Sequence, residues 1–257
     1  MVYKINPSES KSEYASELFK VNGFLVVRNL ISPKVLSEIY NQIKSIDQLS
    51  WSKNYGGRTA FLNCKDLEKK PLCGVSYVQP LTSYSPLSNK IYGKELLEVS
   101  SNLLCVNDVF YNGNELHVRH TDQEHFIPSH QDNFYFSLAN PIALTCYIGL
   151  TDQSRINGGL GFLKHAEDKT FMHAAGKIEG FSSYHPETEA NPDDFIYPET
   201  EPGDVIFHHC ETFHRADPNQ TSKTSVAIST RILSMSNSDK DSSIFESYSK
   251  NLAYNRS

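Results

Sequence analysis

A His-x-Asp triplet, His130-Gln131-Asp132, and a single histidine 84 positions after its first member, His214, carry the chemistry of this chain. Two imidazoles and one carboxylate can occupy one face of a divalent metal ion and leave the opposite positions open. On a strand, side chains two apart point the same way and stand about 7 Å apart along the backbone, so His130 and Asp132 are expected to reach one ion together. These donors suit iron(II), manganese or zinc and do not choose among them. The spacing alone is common here. His120-Thr121-Asp122 repeats it ten residues earlier, and His165, His185 and His209 each have a glutamate two residues on, in a chain with 10 histidines.

Context separates these pairs. Pro128 precedes His130, and Phe134-Tyr135-Phe136 follows it, so the pair reads as the mouth of a strand. His120 sits in a polar stretch with Gln123 and Glu124 that reads as a loop. Downstream, Pro202-Gly203-Asp204 is a turn feeding an apolar strand. His214 is followed by a second turn, Arg215 to Asn219, leading into the last long strand. His208 and His209 read as supporting or core histidines.

The elements that must hold these residues follow from periodicity. Residues 8–21 are expected to be helical, with Tyr14, Leu18 and Phe19 on one face. Gly23 to Asn29 reads as a buried strand. Ser32-Pro33 is a helix start, after which Val35, Ile39, Ile43 and Ile46 recur at helical spacing. Residues 50–90 read mostly as loop, and Ile91 to Leu104 as a helix. From Phe110 the signals are short strands separated by turn residues. The best are Phe134–Phe136, Ala143–Leu150, Asp204–His209 and Ser225–Leu233, with Asn157-Gly158-Gly159 a strong turn. Residues 166–202 read as a long loop able to cover a site, and a short helix is expected near Phe245.

Composition sets the outer limits. With 257 residues and no linker-like stretch, one domain over 1–257 is expected: support from 8–104, a β core near 105–235 and a tail from 236. The net charge of −6 and the absence of a basic run argue against nucleic acid and anionic membranes as partners. No apolar run approaches the length of a membrane span. The five cysteines, Cys64, Cys73, Cys105, Cys146 and Cys210, include no Cys-x-x-Cys pair; reduced thiols in a cytoplasm are expected. The expected partner is a small molecule, and the expected state a monomer or small homo-oligomer.

Four segments in order, Gly23–Ile31, Pro128–Phe136, Asn157–Leu163 and Pro202–Asn219, resemble the phytanoyl-CoA dioxygenase family of iron(II)/2-oxoglutarate oxygenases. The resemblance spans roughly residues 20–235, and Leu163-Lys164-His165 is its loosest part. It implies a mainly β fold with flanking helices: a double-stranded β-helix, or cupin-like jelly roll, with N-terminal helices packed on one sheet. It implies that His130, Asp132 and His214 hold iron(II), which works with 2-oxoglutarate and O2 to hydroxylate or otherwise oxidise a C–H bond, releasing succinate and CO2. Asp132 speaks against a halogenase, which has a small residue there.

One feature departs from the family pattern. The arginine that usually meets the far carboxylate of 2-oxoglutarate, about eleven residues after the distal histidine, is replaced by Ser225. Arg231 lies on the same strand face as Ser225, but about 20 Å further along. Arg119 and Lys223 are the other cationic candidates, and Tyr147 and Thr145 are expected to line the co-substrate site. Asn133, Tyr135, Tyr197 and His173 are candidates to face substrate, a modest polar metabolite, since no basic cradle for coenzyme A is apparent. Two rivals stand beside this reading. One is a metal-binding jelly roll without oxygenase activity; the other is a zinc hydrolase using the same ligands.

Overall fold

A computed structural model describes residues 3–45, 58–61, 75–79, 91, 93–121, 126–163, 173–178, 181–184 and 192–237. Helix α1, Glu13–Asn22, starts where the Ser12 side chain accepts from the Ala15 backbone and ends at Gly23, whose φ of 75° closes it. The chain then enters β2, Phe24–Val27, all of it buried. Strand β1, Lys4–Ile5, lies parallel to β2 at the sheet edge. Helices α2, Pro33–Ser45, and α3, Lys94–Leu103, complete the N-terminal support. Between them lie β3, Arg58–Phe61, and β4, Val75–Gln79.

From β5, Val109–Arg119, the chain winds between two sheets. The smaller sheet takes β6, Ile127–His130, β8, Leu160–Leu163, β11, Phe195–Ile196, and β13, His214–Ala216. The larger takes β7, Ala143–Gly149, β12, Val205–His209, and β14, Ser225–Ser234. Its eight strands run β1-β2-β12-β7-β14-β5-β4-β3, against β11-β8-β13-β6 in the smaller. This alternation is the winding of a jelly roll, mainly β with flanking helices. A separate hairpin joins β9, Ala174–Ile178, to β10, Phe181–Tyr184.

The period of two along the strands sorts the side chains into two cores. On the outer face, Leu144, Cys146, Ile148, Phe207, Val226 and Ile228 pack with Phe19 of α1, Leu36, Ile39 and Ile43 of α2, and Leu96 and Val99 of α3. On the inner face, Phe24, Val26, Tyr147, Ile206 and Ala227 meet Ile127, Leu160, Phe162 and Ala216 of the smaller sheet. Phe24 and Phe162 stack across the gap at 4.7 Å between ring centroids. Helices thus seal one face of the larger sheet, and its other face is left to build the site.

Several expectations need correction. Asp132 is not on the strand with His130: β6 ends at His130, Gln131 is the N-cap, and Asp132 opens a short helix α4, Asp132–Phe136. Phe134–Phe136 therefore belongs to that helix, not to a strand. A three-residue aromatic run has strand propensity but no room to alternate here, because Asn133 N donates to the Cys210 carbonyl at 2.9 Å and turns the chain. Tyr14 is exposed, and the buried face of α1 runs through Ala15, Ser16, Phe19 and Asn22. Residues 50–90 contain β3 and β4, and 166–202 contain β9, β10 and β11, so neither segment is only a loop. His165, His185 and the residues around Phe245 lie outside the described residues, as do Cys64 and Cys73.

Candidate metal centre

The smaller sheet brings His130 and His214 together directly. Their strands are antiparallel neighbours in the smaller sheet, and the two residues are register partners. Side chains opposite each other on paired strands share a face, and the ring centroids are 4.2 Å apart. His130 Nδ1 lies 2.8 Å from the Pro128 carbonyl and His214 Nδ1 3.0 Å from the Thr212 carbonyl. A carbonyl can only accept, so each Nδ1 carries the proton and each Nε2 offers its lone pair.

Asp132 reaches the same point from the start of α4. Its Oδ1 stands 3.8 Å from His130 Nε2 and 3.6 Å from His214 Nε2. One donor atom from each of the three residues falls within 4.8 Å of the others, the only such set among the described residues. The hydroxyl of Thr145 donates to Asp132 Oδ2 at 2.6 Å, which aims the other oxygen at the imidazoles. Burial holds the His130 ring down to about 3 and the His214 ring to about 4, so both are neutral near pH 7. Two neutral imidazoles with fixed tautomers and one anchored carboxylate fit a divalent ion.

A carboxyl clamp keeps Asp132 in place. Glu211 is buried, and its two oxygens accept from Asn133 Nδ2 at 2.9 Å and Gln131 Nε2 at 3.2 Å. These residues flank Asp132 on both sides. His173 Nε2 accepts from the Gln131 backbone at 3.0 Å, and its ring stacks on Phe134. Tyr135 is exposed, with its ring 5.8 Å from that of His130, at the mouth of the site. Asn133 is taken up by Glu211, and Tyr197 lies against Gly161. His208 is buried beside the centre, its Nε2 4.0 Å from Asp132 Oδ2, whereas His209 faces Phe19 of α1. His120, just after β5, is buried and is not one of the three converging residues.

The inner face of the larger sheet continues from the centre. Register places Thr145 beside Arg231, Tyr147 beside Ser229, and Ser225 beside Arg119. Arg231 forms an ion pair with Glu115 and lies over the Phe136 ring. The Tyr147 and Ser225 hydroxyls both donate to Gln153 Oε1, at 3.1 and 3.3 Å. Lys223 lies on an exposed turn before β14. Neither Gln153 nor Glu211 stands out in the sequence. Glu211 is visible there only as one of several acids near a histidine, and Gln153 carries no signal at all.

A profile of the phytanoyl-CoA dioxygenase (PhyH) family matches residues 19–226. The chain belongs to the phytanoyl-CoA dioxygenase family. The matched span contains the whole inner face of the roll up to the first residues of β14. No curated protein sequence matches the chain. Among solved structures, AviO1 from Streptomyces viridochromogenes Tue57 superimposes with a TM-score of 0.67 at 15% identity, covering 87% of this chain and 95% of AviO1. SnoK, described as a non-heme alpha ketoglutarate dependent carbocyclase from nogalamycin biosynthesis, gives 0.66 at 17% identity, with 87% and 84% covered. The epimerase SnoN, solved with Fe3+, alpha ketoglutarate and nogalamycin RO, gives 0.65 at 15% identity, with 89% and 84% covered. At these identities the likeness establishes the fold of the chain alone.

Proposed function

We propose that the protein is an iron(II)- and 2-oxoglutarate-dependent oxygenase acting on a small molecule. The observation that carries this is the convergence of His130 Nε2, His214 Nε2 and Asp132 Oδ1 inside the roll. Family membership and the alpha ketoglutarate named for SnoN and SnoK agree with it. His130, Asp132 and His214 would hold the iron by one face, leaving room for the keto-acid end of 2-oxoglutarate and for O2. The bound iron would supply oxidative decarboxylation: one oxygen atom enters succinate with loss of CO2, and the other enters a substrate C–H bond as hydroxyl.

The protein's own part is to bind, orient and exclude. Thr145 holds the Asp132 carboxylate by one oxygen. Pro128 and Thr212 hold the imidazoles in the tautomer that presents Nε2. Tyr147 and the apolar residues of the inner core keep water from the centre. Tyr135 at the mouth is placed to meet substrate.

Zinc could occupy the same three donors, and a hydrolase or a non-catalytic metal protein would then result. One experiment separates these readings. Purified protein with iron(II) is given 2-oxoglutarate without oxygen and then with it, over a panel of polar metabolites. The oxygenase gives a visible charge-transfer band on anaerobic mixing and oxygen-dependent succinate release. Tight zinc retention without either signal would defeat the proposal. Product analysis tells hydroxylation from ring closure or epimerisation. A cytoplasmic enzyme of one domain acting without nucleic acid or membrane completes the proposal; among the described residues no helix is long and apolar enough to cross a membrane.

A further inference from the structure

The inner face of the larger sheet carries two arginines, and the fold treats them differently. Arg231 is partly exposed and answered by Glu115. Arg119, the last residue of β5, is buried, and its Nε has no hydrogen-bond partner. Among the described residues no carboxylate forms an ion pair with it. Burial lowers its pKa, with no carboxylate set against that. A buried charge is tolerated when paired, or when the group can become neutral. A guanidinium does not lose its proton in a protein, so an anion from outside is the remaining partner.

Its position says which anion. Arg119 is the direct cross-strand partner of Ser225. Two residues before it on the same face of β5, His117 Nε2 lies 2.9 Å from the Ser229 hydroxyl, and its ring centroid is 6.1 Å from that of Tyr147. Register sets Arg119 level with Ser225 and sets Thr145, which holds Asp132, level with Arg231, so Arg119 and the metal centre border opposite ends of one stretch of the inner wall. Between them, Tyr147 and Ser225 turn their hydroxyls to Gln153, which presents a polar, uncharged lining. The arginine stem is held from behind by Gly158: a Cβ there would stand 3.1 Å from Arg119 Cγ, and its φ of 85° suits glycine. Asn219 Nδ2 donates to the Arg119 carbonyl at 2.9 Å and fixes the end of the strand.

We infer that Arg119, reaching across from β5 above Ser225, is the counter-ion for the far carboxylate of the 2-oxo diacid. The assignment rests on the oxygenase reading. The usual charge has moved one strand sideways, from β14 to its neighbour. Opposite residues on paired strands have Cβ atoms about 5 Å apart, within the reach of a guanidinium, so the same carboxylate can be met from either strand. Arg231 stands at the other end of this stretch of β14, level with Thr145 and not with Ser225, and is already paired with Glu115.

The test is a binding measurement, independent of turnover. Protein loaded with manganese(II) is titrated calorimetrically with 2-oxoglutarate and with 2-oxovalerate, which has a methyl group in place of the far carboxylate. Wild type is expected to favour the diacid by at least about ten-fold, as a charge-assisted pair should. Arg119→Gln should erase that preference and leave 2-oxovalerate binding unchanged. Arg119→Lys, which keeps the charge if the glutamine variant folds poorly, should retain part of it. The exchange Arg119→Ser with Ser225→Arg should restore it, and Arg231→Gln should leave it intact. A preference that survives Arg119→Gln, or disappears in Arg231→Gln, overturns the assignment while the oxygenase reading stands. Wild-type protein that binds metal but neither acid overturns both.

Discussion

Removal of the Glu211 carboxyl tests whether the site is held from behind. In Glu211→Ala, Gln131 Nε2 loses its 3.2 Å bond to the carboxylate but keeps the residue-211 carbonyl at 2.8 Å, and Asn133 Nδ2 loses its 2.9 Å bond to the carboxylate. Each of two buried amide nitrogens then loses one acceptor. At about 1–3 kcal/mol for each buried group left unmet, the fold should lose roughly 2–4 kcal/mol. The functional effect is separate. Asp132 sits between the two freed residues, and loss of such supporting contacts lowers metal affinity by about 10–100-fold, or roughly 1.4–2.7 kcal/mol. Two measurements decide the matter: a thermal melt of the metal-free protein and an anaerobic manganese(II) or iron(II) titration well below the melt. Glu211→Gln, which retains one acceptor oxygen, should fall between wild type and alanine in both. A variant that melts early yet binds metal with wild-type affinity would refute the argument, because the clamp would then support the fold without aiming Asp132.

Further predictions concern the centre and its surroundings. Asp132→Ala should abolish iron binding while leaving the circular dichroism spectrum unchanged; iron bound at wild-type affinity would place the metal elsewhere. Gly158→Ala should cost about 1–2 kcal/mol through its positive φ and, by pushing on the Arg119 stem, weaken 2-oxoglutarate binding more than metal binding; equal loss of both would disconnect Gly158 from Arg119. The metal-free protein should be acid-labile. His117, His130 and His208 are held at about 3 and His214 at about 4 by burial. The folded state thus binds fewer protons than the unfolded chain, whose histidines titrate near about 6.5. The stability is full above that pH and is lost as pH falls toward 4, by up to about 1.4 kcal/mol per pH unit for each ring. A melting temperature that stays flat across that window would mean that water reaches the rings.

Much of this is legible in the amino-acid sequence. The two-residue period of Ser225–Leu233 assigns Ala227 and Ser229 to the inner face and Val226 and Ile228 to the outer, and the cores divide along that line. The helical spacing of Ile39 and Ile43 finds their buried side correctly. What local pattern could not give was the turn between His130 and Asp132. A strand carries i and i+2 to one side, and so does a strand end followed by a helical N-terminus, so the right pairing followed from the wrong local geometry. The partner of Arg231 was equally hidden. Glu115 lies 116 positions away in sequence, and only the β5–β14 pairing makes them neighbours. Arg119 and Ser225 are linked by the same pairing, which no reading of one strand at a time can see.

The imidazoles and the carboxylate hang from different kinds of support. His130 and His214 form one rung of a β-ladder, whose spacing is set by backbone hydrogen bonds and resists side-chain change. Asp132 hangs from a five-residue helix tied down by Glu211 and Thr145. Substitutions in that short segment can therefore re-aim the anionic donor, or replace it, without altering the gap between the two nitrogens. A protein built this way can change the charge and the number of free positions on its ion by editing a handful of codons, with the nitrogen pair kept as a fixed gauge.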